Sequence, residues 1–271
     1  MAANDVLRET LIEIARVGGK APDTERRRKI GRASTRTGVP GTDARADTER
    51  AAFRKDRCGM TETARIAALF VETDGCYFGL PNVDPWDKAR DARLYDGPHP
   101  VVAHPPCERW GRYWGGSPRK PHQYRLGDDD GCFAAALNAV RRWGGVLEHP
   151  EGSHAWRAFG LNIPPRGGGW VNADFLGGWT CCVEQGHYGH LSRKATWLYA
   201  RAAELPALIW GACEQRIHPV ALAKHGYEKA RRIGMMAMVG GKDKTRIRNA
   251  TPIPFRNVLL SLATQVKAVA A

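Results

Sequence analysis

The chain has 271 residues, 43% of them hydrophobic, which is enough for a substantial core. Its formal charge of +13 and pI near 9.7 point to a polyanionic partner, nucleic acid first and an anionic membrane surface second. No apolar run approaches the ~18 residues that span a bilayer, "VLRETLIEIA" near the start is amphipathic rather than a signal-peptide core, and the cysteines (58, 76, 107, 132, 181, 182 and 213) form no CxxC pair. A membrane protein, a disulfide scaffold and a zinc ribbon are therefore excluded, and a reduced, cytoplasmic protein is expected.

Residues 1–59 stand apart. After one short helical stretch, Val6 to Arg16, they are dominated by Arg, Thr, Asp and Gly with almost no large apolar residue. Such a segment buries too little surface to offset its ordering entropy, and it reads as a disordered basic arm. Residues 60–271 read as a single α/β domain. "RIAALFV" is a buried strand, and "HPVVAHP" is a short apolar run that ends in the turn "AHPPCERWG". "GDDDGCFAAALNAVRRWG" is a helix with acids at its start and arginines at its end, in keeping with the helix dipole. "GGVLEHPEG" is a second apolar run closing on an acid, "ATWLYAR" a further strand, and "TPIPFRNVLLSLATQVKAVA" a proline-started amphipathic helix. Strand–helix alternation predicts a Rossmann-like, mostly parallel open sheet. Chemistry in such sheets sits at the carboxyl ends of the strands.

Cys107 and Glu148 would both lie there, each just beyond an apolar run. Pro105 and Pro106 restrict the backbone that presents the cysteine. A thiolate beside a carboxylic acid suits addition to a conjugated ring: sulfur attacks C6 of a pyrimidine, the acid protonates or hydrogen-bonds N3, and C5 becomes nucleophilic toward a one-carbon donor. The adjacent Cys181 and Cys182 cannot readily share one zinc, and His187 and His190 add no zinc-site spacing, so no metal is expected.

Four segments in order carry a family likeness. "AHPPCERWG" resembles the Pro-Cys loop of the cytosine-C5 DNA methyltransferases, "GGVLEHPEG" their Glu-Asn-Val segment, "QGHYGHLSRKATWLYA" their Gln-x-Arg-x-Arg segment, and "IRNATPIPFRN" their final Gly-Asn-Ala-Val-Pro segment. The likeness spans about residues 66–262 and is strongest to short, divergent versions seen in phages. It implies a shortened sheet of the class I methyltransferase type. It also implies Cys107 as nucleophile, Glu148 at the base edge, Arg193 and Lys194 in support, double-stranded DNA as substrate and S-adenosylmethionine as donor. The donor would be held by Phe70, Glu72, Thr73, Asp74 and Gly75 of "LFVETDGCYFGL", with Asp84 at its ribose and Asn249 nearby.

This chain departs from the family where the donor sits: Glu72 and Asp74 replace two glycines, and a side chain blocks close backbone approach. A second donor, 5,10-methylenetetrahydrofolate, giving hydroxymethylcytosine by the same Cys/Glu chemistry, therefore stands beside the first. A relative that binds DNA without modifying it stands as a third reading. C5 chemistry on a duplex requires the base to leave the stack. Arg109, Arg112, Tyr113, Trp114, Arg119 and Lys120, which follow the nucleophile, have the composition of a loop that fills the gap and grips phosphate. Only about fifty residues separate Thr196 from Asn249. A small DNA-recognition insert at about 201–247 is expected, and with it a short or relaxed target sequence.

Overall fold

Seven strands make a single sheet in the order β2-β1-β3-β4-β7-β6-β5, comprising β1 (Ile66–Leu69), β2 (Val83–Trp86), β3 (Val101–Ala103), β4 (Gly145–Pro150), β5 (Val171–Asn172), β6 (Trp179–Glu184) and β7 (Ala195–Arg201). The computed structural model describes residues 65–116, 124–214, 216–217, 219–233 and 243–265, all within one unit, Thr61–Ala271. The basic arm expected at 1–59, and Arg119 and Lys120, lie outside the described residues.

The sheet is mixed. β2, β1, β3 and β4 pair in parallel, whereas the β4–β7, β7–β6 and β6–β5 pairings are antiparallel. Two reversals bring β6 back to the direction of β4, so β1, β2, β3, β4 and β6 run one way and only β5 and β7 run against them. The α/β, Rossmann-like expectation holds at this level. The connection from β1 runs to one side of it, to β2, and the chain then crosses to the other side for β3. That makes β1/β3 the switch point, where such sheets open a crevice beyond their carboxyl ends.

Side chains alternate across each strand, and both faces are covered. Ala67, Leu69, Val101, Ala103 and Leu147 pack with Phe133, Leu137 and Val140 of α1 (Cys132–Trp143). Ile66, Ala68, Val102 and Val146 pack with Phe255, Leu259 and Leu262 of α5 (Ile253–Thr264). β3 and β4 approach closely because Gly145 has no side chain; a Cβ there would run into the Val101 carbonyl, and its φ of +110° suits glycine. Between the two core helices in sequence lie α2 (His154–Ala158), α3 (Pro219–Ile233), α4 (Asp243–Asn249) and a short 3₁₀ turn at Gln185–Tyr188; another 3₁₀ turn, Ala92–Leu94, precedes α1. The segment expected to recognise DNA thus holds a loop, α3 and most of α4. α3 is broken at Gly226, whose φ of 70° is left-handed.

Two sequence expectations shift in detail. The acidic cluster 128–130 precedes α1 rather than opening it: Gly131 is the helix cap, and Asp129 reaches over it to accept from the backbone N–H groups of Gly131 and Phe133. The run "WTCCVE", unassigned from sequence, is β6, with Cys181 and Cys182 buried on opposite faces of the sheet. Among the described residues no group of His, Cys, Asp and Glu is arranged to hold a metal ion, and no helix is long and apolar enough to cross a membrane.

Candidate active site

The sheet register builds the site. Val102 stands opposite Val146 and Ala103 opposite Leu147; one step further, just past the end of β3, His104 stands across from Glu148 on the α5 face. His104 continues the ladder by donating its backbone N–H to the Leu69 carbonyl. β4 carries Glu148 into the same rim, the turn after β6 brings Gln185, and the reversed β7 begins there, so Lys194 joins them. A cavity of about 830 Å³ opens at this rim. It is lined by the loop after β1 (Phe70, Glu72, Gly75, Cys76, Tyr77), the turn after β3 (His104 to Glu108), Glu148, Lys194 and the segment from Arg246 to Thr251.

Cys107 and Glu148, singled out from sequence, both line this cavity. The cysteine turn is anchored from behind. The Cys107 carbonyl accepts from the N–H groups of Trp110 and Gly111, and buried Trp110 donates its indole N–H to Asp129 at 2.7 Å. Burial and then the Glu148 charge push the Cys107 thiol up, against Arg248, so the resting group is S–H. Burial also pushes the Glu148 carboxyl up, but the hydrogen bond to His104 and the charge of Lys194 outweigh it and hold Glu148 down at about 2. It rests as a carboxylate. Its Oε2 pairs with His104 Nδ1 at 3.0 Å, and its Oε1 accepts from Gln185 Nε2 at 3.0 Å. Gln185 also donates to Thr196, whose hydroxyl donates to the Lys194 carbonyl.

Lys194 is brought into the site and Arg193 is not. Lys194 is held at a φ of 42° and lines the cavity, and its Nζ donates to the carbonyls of Asn249 and Ala250. Burial lowers its ammonium, against the pull of the Glu148 carboxylate and, once it forms, the Cys107 thiolate. Arg193, next to it, is exposed and does not line the cavity. Phe70, Glu72, Gly75 and Asn249, expected at the donor, also line the cavity. Thr73, Asp74 and Asp84 do not. Thr73 donates to Asp87 at 2.7 Å and ties the loop to the end of β2, while Asp84 is engaged by Arg90 and the Trp86 indole.

A nucleoside-bearing donor therefore meets a partial fit. Phe70 offers a ring and Glu72 a carboxylate. Gly75 serves the loop's own turn, since a Cβ there would press on the Glu72 carbonyl at 2.8 Å. Of the residues expected at DNA, Arg109 stacks on Tyr124, Trp114 is half-buried, and Arg112 and Tyr113 are exposed. His104, Tyr77 and Gln185 escaped the sequence reading. For His104 a signal existed: it has the same strand parity beyond Val102 as Glu148 has beyond Val146.

No family model, curated protein or solved structure matches the chain.

Proposed function

We propose that this protein transfers a one-carbon unit to C5 of cytosine in DNA. The observation that carries the reading is the convergence of Cys107 and Glu148 in one cavity at the carboxyl ends of neighbouring parallel strands. Cys107 Sγ adds to C6 of a flipped-out cytosine and the thiol proton leaves. The C5–C6 π electrons move toward C4, and N3 gains a proton. Glu148, resting ionised, first accepts from the 4-amino group, then takes up the thiol proton and delivers it to N3. Lys194 sets a positive charge opposite both groups. After C5 has taken the carbon unit, loss of the C5 proton and expulsion of the sulfur restore the aromatic ring and the free cysteine.

The substrate reading rests on the charge of +13 and on the cations Lys194, Arg246 and Arg248 at the cavity. The donor is S-adenosylmethionine, whose chemistry is an electrophilic methyl group; Phe70, Glu72, Gly75 and Asn249 would hold it. A folate-borne methylene group is the second reading. It is favoured by one observation: Thr73 and Asp84 are tied to Asp87, Arg90 and Trp86 instead of facing the cavity. A cytoplasmic location and membership of the class I methyltransferase type belong to the same proposal. The test incubates the full chain with duplex DNA and each donor separately, then weighs the nucleosides. Methylcytosine supports the first donor and hydroxymethylcytosine the second. Binding without modification by either supports a DNA-binding relative with no activity and overturns the enzymatic reading.

A further inference from the structure

Behind Glu148 runs a hydrogen-bonded line that C5 chemistry does not by itself require. Tyr77 lies on the loop after β1, 3% exposed, and its hydroxyl sits 2.9 Å from His104 Nε2. His104 Nδ1 in turn lies 3.0 Å from Glu148 Oε2. Three elements far apart in sequence, β1, β3 and β4, thus meet in one row. The donors and acceptors along it fit in only one way that satisfies every group. A carboxylate can only accept, so Nδ1 carries the hydrogen; a phenol this deeply buried keeps its proton, so Tyr77 O–H donates to a bare Nε2. An imidazolium would leave the buried Tyr77 O–H facing another N–H.

We propose that Tyr77 and His104 are positioning residues that lock Glu148 as an oriented carboxylate. Tyr77 fixes the tautomer of His104, and His104 spends its single N–H on Oε2. With Gln185 on Oε1, each carboxylate oxygen keeps one free lone pair. Such a carboxylate favours a base edge that presents hydrogen-bond donors side by side, as the 4-amino group and protonated N3 of cytosine do. An edge pairing a donor with an acceptor, as in uracil, is disfavoured. What Glu148 then does rests on the proposed cytosine chemistry; its orientation by His104 does not.

Lys194 ahead of β7, Cys107 on the β3 turn and Tyr77 also lie around Glu148, while His149, next to it on β4, points to the other face of the sheet. The Lys194 charge acts on it through space, and so does His149 once protonated; Cys107 and Tyr77 keep their protons, and only the His104 link depends on tautomer. Two measurements on the full chain separate the claims. The first follows the Glu148 side-chain carboxyl carbon by ¹³C NMR against pH in wild type, Tyr77→Phe and His104→Gln, with Glu148→Gln for assignment. The midpoint is expected to rise by about one pH unit in His104→Gln and by less in Tyr77→Phe. Tyr77→Phe is nearly isosteric and keeps the test open should His104→Gln fold poorly. Equal midpoints in all folded variants overturn the proposal.

The second measurement follows release of tritium from C5 of cytosine in duplex DNA without any donor. The acid limb of its rate profile is expected to move in the same direction and order. Moved NMR midpoints with no tritium release in wild type leave the positioning intact and count against the cytosine reading. Tritium release with unmoved midpoints does the reverse.

Discussion

Lys194 Nζ reaches out of the turn before β7 to the main-chain carbonyls of Asn249, at 3.2 Å, and Ala250, at 3.0 Å, and so ties the segment after α4 to the cavity rim. One side chain therefore does two jobs: it fastens the wall that carries Arg248 and sets its own charge against Glu148 and Cys107. Lys194→Met removes both. Modification of cytosine is expected to fall by one to two orders of magnitude, while the melting temperature moves by only a few degrees. Arginine at the same place keeps the charge but not the compact reach, and is expected to recover part of the rate. Full activity in Lys194→Met would remove this residue from the mechanism.

The thiol of Cys107 is pushed up by burial and by the Glu148 charge and is relieved by Arg248. Alkylation by iodoacetamide reports its thiolate fraction. At neutral pH the reaction is expected to quicken several-fold in Glu148→Gln and to slow several-fold in Arg248→Ala. Cys107→Ala provides the background from the other cysteines. Slower alkylation in Glu148→Gln, or faster alkylation in Arg248→Ala, would mean that the charges around the sulfur are arranged differently.

Stability against acid falls in two separable windows. His149 is buried beside Glu148, and burial lowers its ring from 6.5 to about 4. A folded-state value below the unfolded one means that the unfolded chain takes up the proton first, so stability is lost as the pH drops from 6.5 toward 4. Glu148 is lowered from 4.5 to about 2; its contribution is full above 4.5 and is lost as the pH falls through 2. Each group carries up to about 3 kcal/mol. Urea unfolding at a series of pH values is expected to show Glu148→Gln losing the lower window and His149→Gln the upper one, each also shifting the other's midpoint slightly because the two charges act on each other.

Asp129 joins the nucleophile turn to the start of α1: one carboxylate accepts from the Trp110 indole and from two backbone N–H groups. Asp129→Ala leaves a buried indole N–H without its partner and uncaps the helix. A cost of about 2–4 kcal/mol is expected in unfolding. Cytosine modification should weaken beyond what the folded fraction explains, because Trp110 holds the Cys107 carbonyl.

Arg112 and Tyr113 project freely beyond the anchored turn. Arg112→Ala is expected to weaken DNA binding about equally for all sequences and to reduce the salt dependence by about one counterion. Fluorescence anisotropy across a salt series measures it. An unchanged slope would place the phosphate contacts elsewhere.

The parts of the site legible in the sequence are those carried by short apolar runs. "PVVA" before Cys107 and "GVL" before Glu148 became adjacent parallel strands, and their alternation covers both faces of the sheet. Illegible were the residues whose role comes only from pairing between distant segments. Gln185 meets Glu148 across 37 positions and Tyr77 meets His104 across 27, and neither lies in a run whose composition marks it. The donor loop misled for a related reason. Thr73 and Asp84 have suitable chemistry for a ligand, but each spends it on a neighbouring structural partner that a linear reading does not show.

Attack of Cys107 on cytosine in DNA is read out by the intact mass of the full chain after incubation with a duplex carrying 5-fluorocytosine and each donor in turn. Fluorine at C5 blocks the elimination that would free the sulfur. With the right donor, a denaturation-resistant species heavier by one oligonucleotide strand plus the carbon unit is expected, attached at Cys107 and absent from Cys107→Ala. No adduct with either donor, or an adduct that persists in Cys107→Ala, would contradict attack by Cys107.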